Sequence, residues 1–274
     1  MNRIRTVLAV GKKEFTEFTR YKDWLPGLII WPLMFPIVYI LGAVGLAGPD
    51  SSGLSTFKSV AKTSNYTAFI VVGVMVYMWV NSMMWTFGTF LRQEQRRGTL
   101  ESLWLCPINK FDILLGGALV NILIGFGYVA VSMLEYMFIY RISFAGNLFQ
   151  WLIIFFIMIP GVIGFGMIFA SLVLWLKDAN VAVQAVRGLV MVLCGISFPI
   201  SVMPYWMQVL SKFFPFTYGI EAARKIMVEG QGVSSAFEQI IMCLMVSLVY
   251  LIIGRLVFVI VERKVKREGS LERF

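Results

Sequence analysis

The stretch 66–107, YTAFIVVGVMVYMWVNSMMWTFGTFLRQEQRRGTLESLWLCP, decides how the rest of the chain is read. Tyr66 through Leu91 carry no charged side chain, and five charges, Arg92, Glu94, Arg96, Arg97 and Glu101, then fall between Leu91 and Leu103. An apolar run of this length meets the requirement of about 20 residues for a helix that crosses a bilayer. The charges behind it are either an unremarkable solvated loop or a surface made to be gripped.

Working outward, the 274 residues are 59% hydrophobic, 15% aromatic and only 14% charged, with a mean hydropathy of +0.80. Soluble domains carry roughly 25% charged residues, so this chain has too little polar surface for water and its main solvent is lipid. Only helices and closed barrels satisfy the backbone there, and long apolar runs without strict alternation select helices. Six spans are expected, at about 24–46, 66–91, 113–140, 149–176, 180–202 and 236–260. The first carries Pro26, Pro32 and Pro36 and should bend. The glycines, 24 in all, suit close helix–helix contact in lipid. Residues 1–23 precede these spans. Ile4, Val7, Leu8, Phe15 and Phe18 fall near one helical face there and the charges largely elsewhere, which predicts an amphipathic helix in the membrane interface.

With the N-terminus in the cytoplasm, eighteen Lys and Arg residues fall inside and six outside, so the positive-inside rule places both termini in the cytoplasm. The formal net charge of +9 is then membrane-surface electrostatics. Nucleic-acid binding is not expected, because the basic residues flank spans and form no separate domain. There is no histidine, which removes the commonest general base and metal ligand. Cys106, Cys194 and Cys243 stand far apart and read as packing residues, with no disulfide framework. No cleavable signal peptide is evident, since the first residues alternate charge and grease.

In this topology the charged strip faces the cytoplasm between the second and third spans. Thr99 follows a glycine and is placed to cap a helix, with Glu101 in its first turn. Leu100, Leu103 and Trp104 share a face, and Pro107 stops it. A short amphipathic helix tethered at both ends is the expectation. Glu94, Gly98-Thr99-Leu100-Glu101, Leu103 and Pro107 resemble the E…GTLE.L…P signature of type-2 ABC transporter permeases. Gly195, Phe198-Pro199, Met203-Pro204, Trp206, Pro215, Thr217-Tyr218, Glu221 and Arg224 are similar to that family's segment before the last span, and Phe214 departs from it where a polar residue is frequent.

The resemblance implies an all-α membrane protein and a single permease domain over 1–274. It has six transmembrane helices, an interfacial helix at 1–23, a cytoplasmic coupling helix at 92–107, a re-entrant extracytoplasmic hairpin at 196–232 and a cytoplasmic tail at 261–274. It implies an ATP-driven exporter in a prokaryotic inner membrane. A second permease copy, as homodimer or closely related heterodimer, and a separate ATPase subunit are the implied partners beside the lipid bilayer. Arg92, Glu94, Arg96, Arg97, Gly98, Thr99, Glu101, Leu103 and Trp104 are then the ATPase-contacting residues. Tyr77, Met78, Asn81, Trp85, Gln184 and Arg187 are expected along the substrate path, and the implied cargo is amphiphilic or hydrophobic. For the aromatic outer segment two readings stand. One is an interfacial belt, and the other is an extracytoplasmic gate built on Pro199, Pro204, Trp206, Pro215 and Tyr218.

No cofactor is expected in this chain. ATP and Mg belong to the partner, because no GxxxxGK[ST] phosphate loop occurs and Gly11-Lys12-Lys13 lacks both the upstream glycine and the hydroxyl residue. A membrane-embedded enzyme would need polar catalytic groups clustered at one depth, which the sequence lacks. A secondary transporter or channel would show inverted repeats or charged rings. Two intramembrane charges need an account: Glu135, expected to pair with Arg141 or to snorkel, and Arg187, expected either to face a cavity or to reach back to the interface.

Overall fold

The computed structural model describes residues 3–22, 24–46, 63, 65–99, 102, 105–106, 108–176 and 179–268, and these are all-helical or irregular. Nine α-helices are described: α1 (Arg3–Arg20), α2 (Leu25–Leu46), α3 (Tyr66–Arg96), α4 (Lys110–Phe138), α5 (Leu148–Leu176), α6 (Ala179–Leu193), α7 (Tyr205–Ser211), α8 (Pro215–Met227) and α9 (Phe237–Glu268). A 3₁₀ turn at Ile200–Val202 precedes α7. Five of them, α2, α3, α4, α5 and α9, are long and apolar enough to cross a membrane.

The expected fifth span is the exception. α6 has 15 residues, about 22 Å at 1.5 Å per residue, which falls short of a hydrocarbon core of about 30 Å. The apolar sequence continues to Ile200, but Gly195 adopts φ +66° and the chain turns there, with Pro199 starting the 3₁₀ segment. Cys194 and Ile196 are fully buried, so this apolar stretch serves packing rather than further helix.

α3 is the central rod. It is buried along most of Tyr66–Phe87 and touches α2, α4, α5, α6 and α8. Trp79 meets Phe155 of α5 edge-on at 5.2 Å, with Phe126 of α4 6.2 Å away. α5 and α9 form the closest pair. A Cβ on Gly164 would collide with the backbone of Tyr250, and one on Gly254 with Gly164 itself. Lipid supplies no hydrophobic drive between helices, so such backbone-to-backbone approach is what holds the pair.

α2 carries Pro32 and Pro36 within the helix. Pro36 has no N–H for the carbonyl of Pro32. Tyr136 of α4 donates to that oxygen at 3.0 Å, Tyr140 to Leu33 O at 2.7 Å and Tyr128 to Gly27 O at 2.6 Å. Three α4 hydroxyls thus serve carbonyls along the bent helix. The outer face of α2, with Ile29, Ile30, Met34, Val38 and Leu41, stays exposed. α1 lies against α4, where Gly116 admits Val7 and Val10.

Glu135 does not pair with Arg141. Both carboxylate oxygens are buried and take no hydrogen bond among the described residues. Arg141 is exposed in the turn after α4, at φ +52°, beyond the point where the helix has ended.

Candidate functional site

The charged strip begins inside α3, which continues past the last apolar residue to Arg96. What ends the helix is Gly98 at φ +68°, the left-handed position that glycine adopts without steric cost. Thr99 N then donates back to Glu94 O at 3.0 Å, the long-reach bond of a Schellman ending. The Thr99 hydroxyl also turns back, donating to Glu94 Oε2 at 2.7 Å. In the structure it braces the helix it leaves.

Glu94 is the centre of the cluster. It is only 3% exposed, and its carboxylate pairs with Lys13 of α1 and lies 3.7 Å from Arg97 Nη1. Arg97 itself chelates Glu17 of α1, with Nη1 at 3.0 and 2.9 Å from the two oxygens. Lys13 also stands 3.5 Å from Glu14 and 3.8 Å from Glu17. Four charges from two helices far apart in sequence thereby fasten α1 to the root of the loop.

The ionisation states follow from this geometry. Burial raises the Glu94 carboxyl, but the hydrogen bonds from Lys13 and Thr99 and the charges of Lys13 and Arg97 outweigh it, so Glu94 sits below its ordinary value. Burial lowers Lys13, and Glu94 more than reverses that. Burial leads in raising Glu14, against the charge of Lys13. A depressed acid stabilises above its unfolded value, about 4.3, and loses that contribution as pH falls through its folded value. A raised lysine stabilises below about 10.4 and loses its contribution as pH rises past its folded value. The clamp therefore holds across the neutral range and opens at the acid end. Glu14 works the other way, its raised value weakening the site slightly as pH rises through it. Spin labels at exposed Thr16 and Gln93 should keep one distance between about pH 6 and 9 and spread to longer distances below about 4. An unchanged distribution in acid would contradict this assignment.

Arg92 and Arg96 occupy the last turns of α3, and their side chains lie outside the described residues. So do Glu101, Leu103, Trp104 and their neighbours Leu100 and Pro107, on which the expected short helix depends. Of the expected loop residues, the structure brings together Glu94, Arg97, Gly98 and Thr99. The α1 contributors, Lys13 and Glu17, escaped sequence reasoning. Their available signal was the run KKEFTE, whose lysines and glutamates are opposite in sign to the acid and the two arginines of EQRR across the gap.

Deeper in the bundle, most of the expected path residues converge. A cavity of about 570 Å³ is bounded by Trp31 and Phe35 of α2, Met78, Asn81, Ser82, Trp85, Thr86 and Thr89 of α3, Tyr128 of α4 and Arg187 of α6. Tyr77 stands behind Arg187, whose Nε donates to its hydroxyl at 2.7 Å, and the guanidinium lies 5.1 Å from the Phe35 ring. Arg187 therefore faces a cavity. Gln184 is exposed elsewhere and does not line it.

The segment expected to form a gate divides by role. Trp206 is 62% exposed on α7 and Pro204 is exposed, whereas Pro215 is buried at the start of α8; Pro199 and Tyr218 are half-buried. Phe216 packs edge-on against Phe165 at 5.3 Å, so the aromatic residues do not form one uniform belt. The organising residue here is Arg224. It is 6% exposed and donates to Phe69 O at 3.2 Å, Gly195 O at 2.8 Å and Ile196 O at 2.6 Å, with the Phe69 ring 3.5 Å away. Three carbonyls from two segments are closed by one planar cation.

A family model described as ABC-2 type transporter matches residues 6–228. The chain belongs to the ABC-2 type transporter family. The matched ABC-2 region runs from α1 through α8 and contains the clamp, the cavity and Arg224. Two curated relatives, from Escherichia coli strain K12 and from Escherichia coli O157:H7, each carry the name "Probable multidrug ABC transporter permease YbhR". Each is 22% identical over 182 residues, which cover 66% of this chain and 50% of the relative. This ABC-2 chain thus spans about half the length of the curated relatives it matches. With five membrane-length helices it is a multi-pass membrane protein.

Proposed function

We propose that this chain is the permease subunit of an ATP-driven exporter, working as a pair of permeases with a separate ATP-hydrolysing subunit docked on the loop after α3. The observation that carries the reading is the clamp. A loop that only connects two spans does not need its root bolted to a second helix by Lys13–Glu94 and Glu17–Arg97. A loop that receives force does, because displacement spreads into α1 and α3 only through stiff contacts. The family membership and the relatives' printed name support the same reading.

α1, the end of α3, the start of α4 and the later part of α9 share one end of the bundle, with Arg255 of α9 5.2 Å from the Phe111 ring of α4. Their basic residues favour the cytoplasmic side, in the inner membrane of a prokaryote. The exposed apolar face of α2 and that of α6, with Val181, Leu189 and Val192, suit lipid on one side and a second permease on the other. The cavity between them is the proposed path for an amphiphilic cargo, and the short helices α7 and α8 form its outer, re-entrant gate. ATP and Mg act in the partner.

Gly98→Pro tests the reading directly. Proline fixes φ near −65°, on the wrong side of zero for the +68° turn, and disrupts the end of α3. This variant and Glu101→Lys are expected to remain in the membrane while abolishing cargo-stimulated ATP hydrolysis by the reconstituted pair. Undiminished stimulation in both would defeat the proposal.

A further inference from the structure

We propose that the cavity between α2, α3, α4 and α6 selects organic anions: an apolar, ring-bearing body that carries one acidic group such as a sulfonate, carboxylate or phosphate. The inference rests on the reading of that cavity as the cargo path and adds the sign of the cargo's charge.

The charge on the wall is unbalanced. The guanidinium of Arg187 is half-buried on the short apolar helix α6, and its described contacts are the Tyr77 hydroxyl and the face of Phe35. No carboxylate lies within ion-pair distance of it among the described residues. Glu135 of α4, an acid at membrane depth, has both oxygens without partners and so forms no ion pair with it. Cations inside a bilayer face cavities and pair with something. The fork of N–H groups left over after Tyr77 is a two-pronged donor matched to an oxyanion.

The other walls agree. Trp31, Phe35, Trp85 and Tyr128 supply ring faces, and the volume of about 570 Å³ suits a drug-sized guest. Asn81 is 8% exposed, and its carboxamide oxygen is buried with no donor among the described residues, which asks for an N–H or O–H on the guest. The Thr86 hydroxyl proton has acceptors at Ser82 O and at Asn121 Oδ1 of α4, each 3.0 Å away, and Thr89 donates to Trp85 O at 2.7 Å, so neither proton is left for a guest. An organic cation would meet ring faces but also Arg187. A neutral guest would leave that cation unmatched in a poorly hydrated space. An anion with a donor satisfies both loose ends.

The test uses the full chain in nanodiscs, with empty nanodiscs subtracted, and three probes on one ring skeleton: anilinonaphthalene sulfonate, neutral phenylnaphthylamine and a trimethylammonium naphthalene. Quenching of tryptophan fluorescence reports binding. The sulfonate should bind at least tenfold more tightly than the neutral probe. Arg187→Gln should erase that preference, Arg187→Lys should keep most of it, and Arg187→Glu should pass it to the ammonium probe. If Arg187→Gln leaves the preference intact, or the ammonium probe binds best to the wild type, the charge inference is overturned. Trp85→Ala separates it from the underlying reading. When that change weakens all three probes, the cavity remains the binding site whatever the sign of its guest. When it weakens none, the cavity reading falls and this inference with it. Should the glutamine variant fail to fold, the lysine variant still decides: it keeps the positive charge, so the sulfonate should still bind more tightly than the ammonium probe, and loss of that order would overturn the inference.

Discussion

Arg224→Leu is expected to lower the stability of the purified protein by about 3–5 kcal/mol. Each hydrogen bond to a charged group contributes about 1.5–3 kcal/mol, and a buried acceptor left bare costs about 1–3 kcal/mol. Three acceptors are stranded at once, the carbonyls of Phe69, Gly195 and Ile196. Some of the loss is returned, since a buried cation no longer has to be desolvated. The stranded carbonyls decide the sign, because the site is buried within the protein and water does not reach them readily. Arg224→Lys should fall between, as a single ammonium cannot address three carbonyls that the planar fork serves together. Thermal unfolding in detergent, followed by loss of the monodisperse peak after heating, measures the series. A leucine variant that melts with the wild type would show that the turn at Gly195 holds without its cation.

The second large effect is at the clamp. Lys13→Glu sets an acid against Glu94 and beside Glu17, and Glu94→Lys sets a cation against Lys13 and Arg97. Each single reversal should cut cargo-stimulated ATP hydrolysis at least tenfold in the reconstituted system, with the protein still inserted. The double exchange, Lys13→Glu with Glu94→Lys, restores opposite charges across the contact and should recover a large part of the activity. Recovery is the telling readout, because two independently damaging substitutions do not repair one another. If the double variant is no better than the worse single one, the pair does not carry force.

The spans were legible because hydropathy reports directly on lipid. Expected bounds of 66–91, 113–140, 149–176 and 236–260 became Tyr66–Arg96, Lys110–Phe138, Leu148–Leu176 and Phe237–Glu268. The differences have physical causes. Hydropathy marks where a helix leaves the hydrocarbon, whereas backbone geometry marks where it stops. α3 therefore runs on through Arg92 and Arg96 until Gly98 turns it. The same distinction explains α6, where grease continued beyond Leu193 but Gly195 and Pro199 had already ended the helix.

At the site, the second span was expected along the path only through the family resemblance, and Met78, Asn81 and Trp85 fall together there because they recur on one face of α3. Arg187 was visible as a cation out of place. The pairing of Lys13 with Glu94 crosses 81 positions and depends on how α1 lies on α4, which no local pattern encodes. Arg224 was noticed only within a motif, and its three acceptors are backbone atoms, which leave no mark in the sequence.

The tyrosines of α4 impose a rule on how the bundle can move. Gly27, Pro32 and Leu33 draw donors from Tyr128, Tyr136 and Tyr140. Sliding one of these rods along the other would strand oxygens in oil, an expense repeated at every rung. The two therefore travel as a single plank, and whatever opens the bundle must hinge along the plank's borders, against α3 and α6, where the guest would lie.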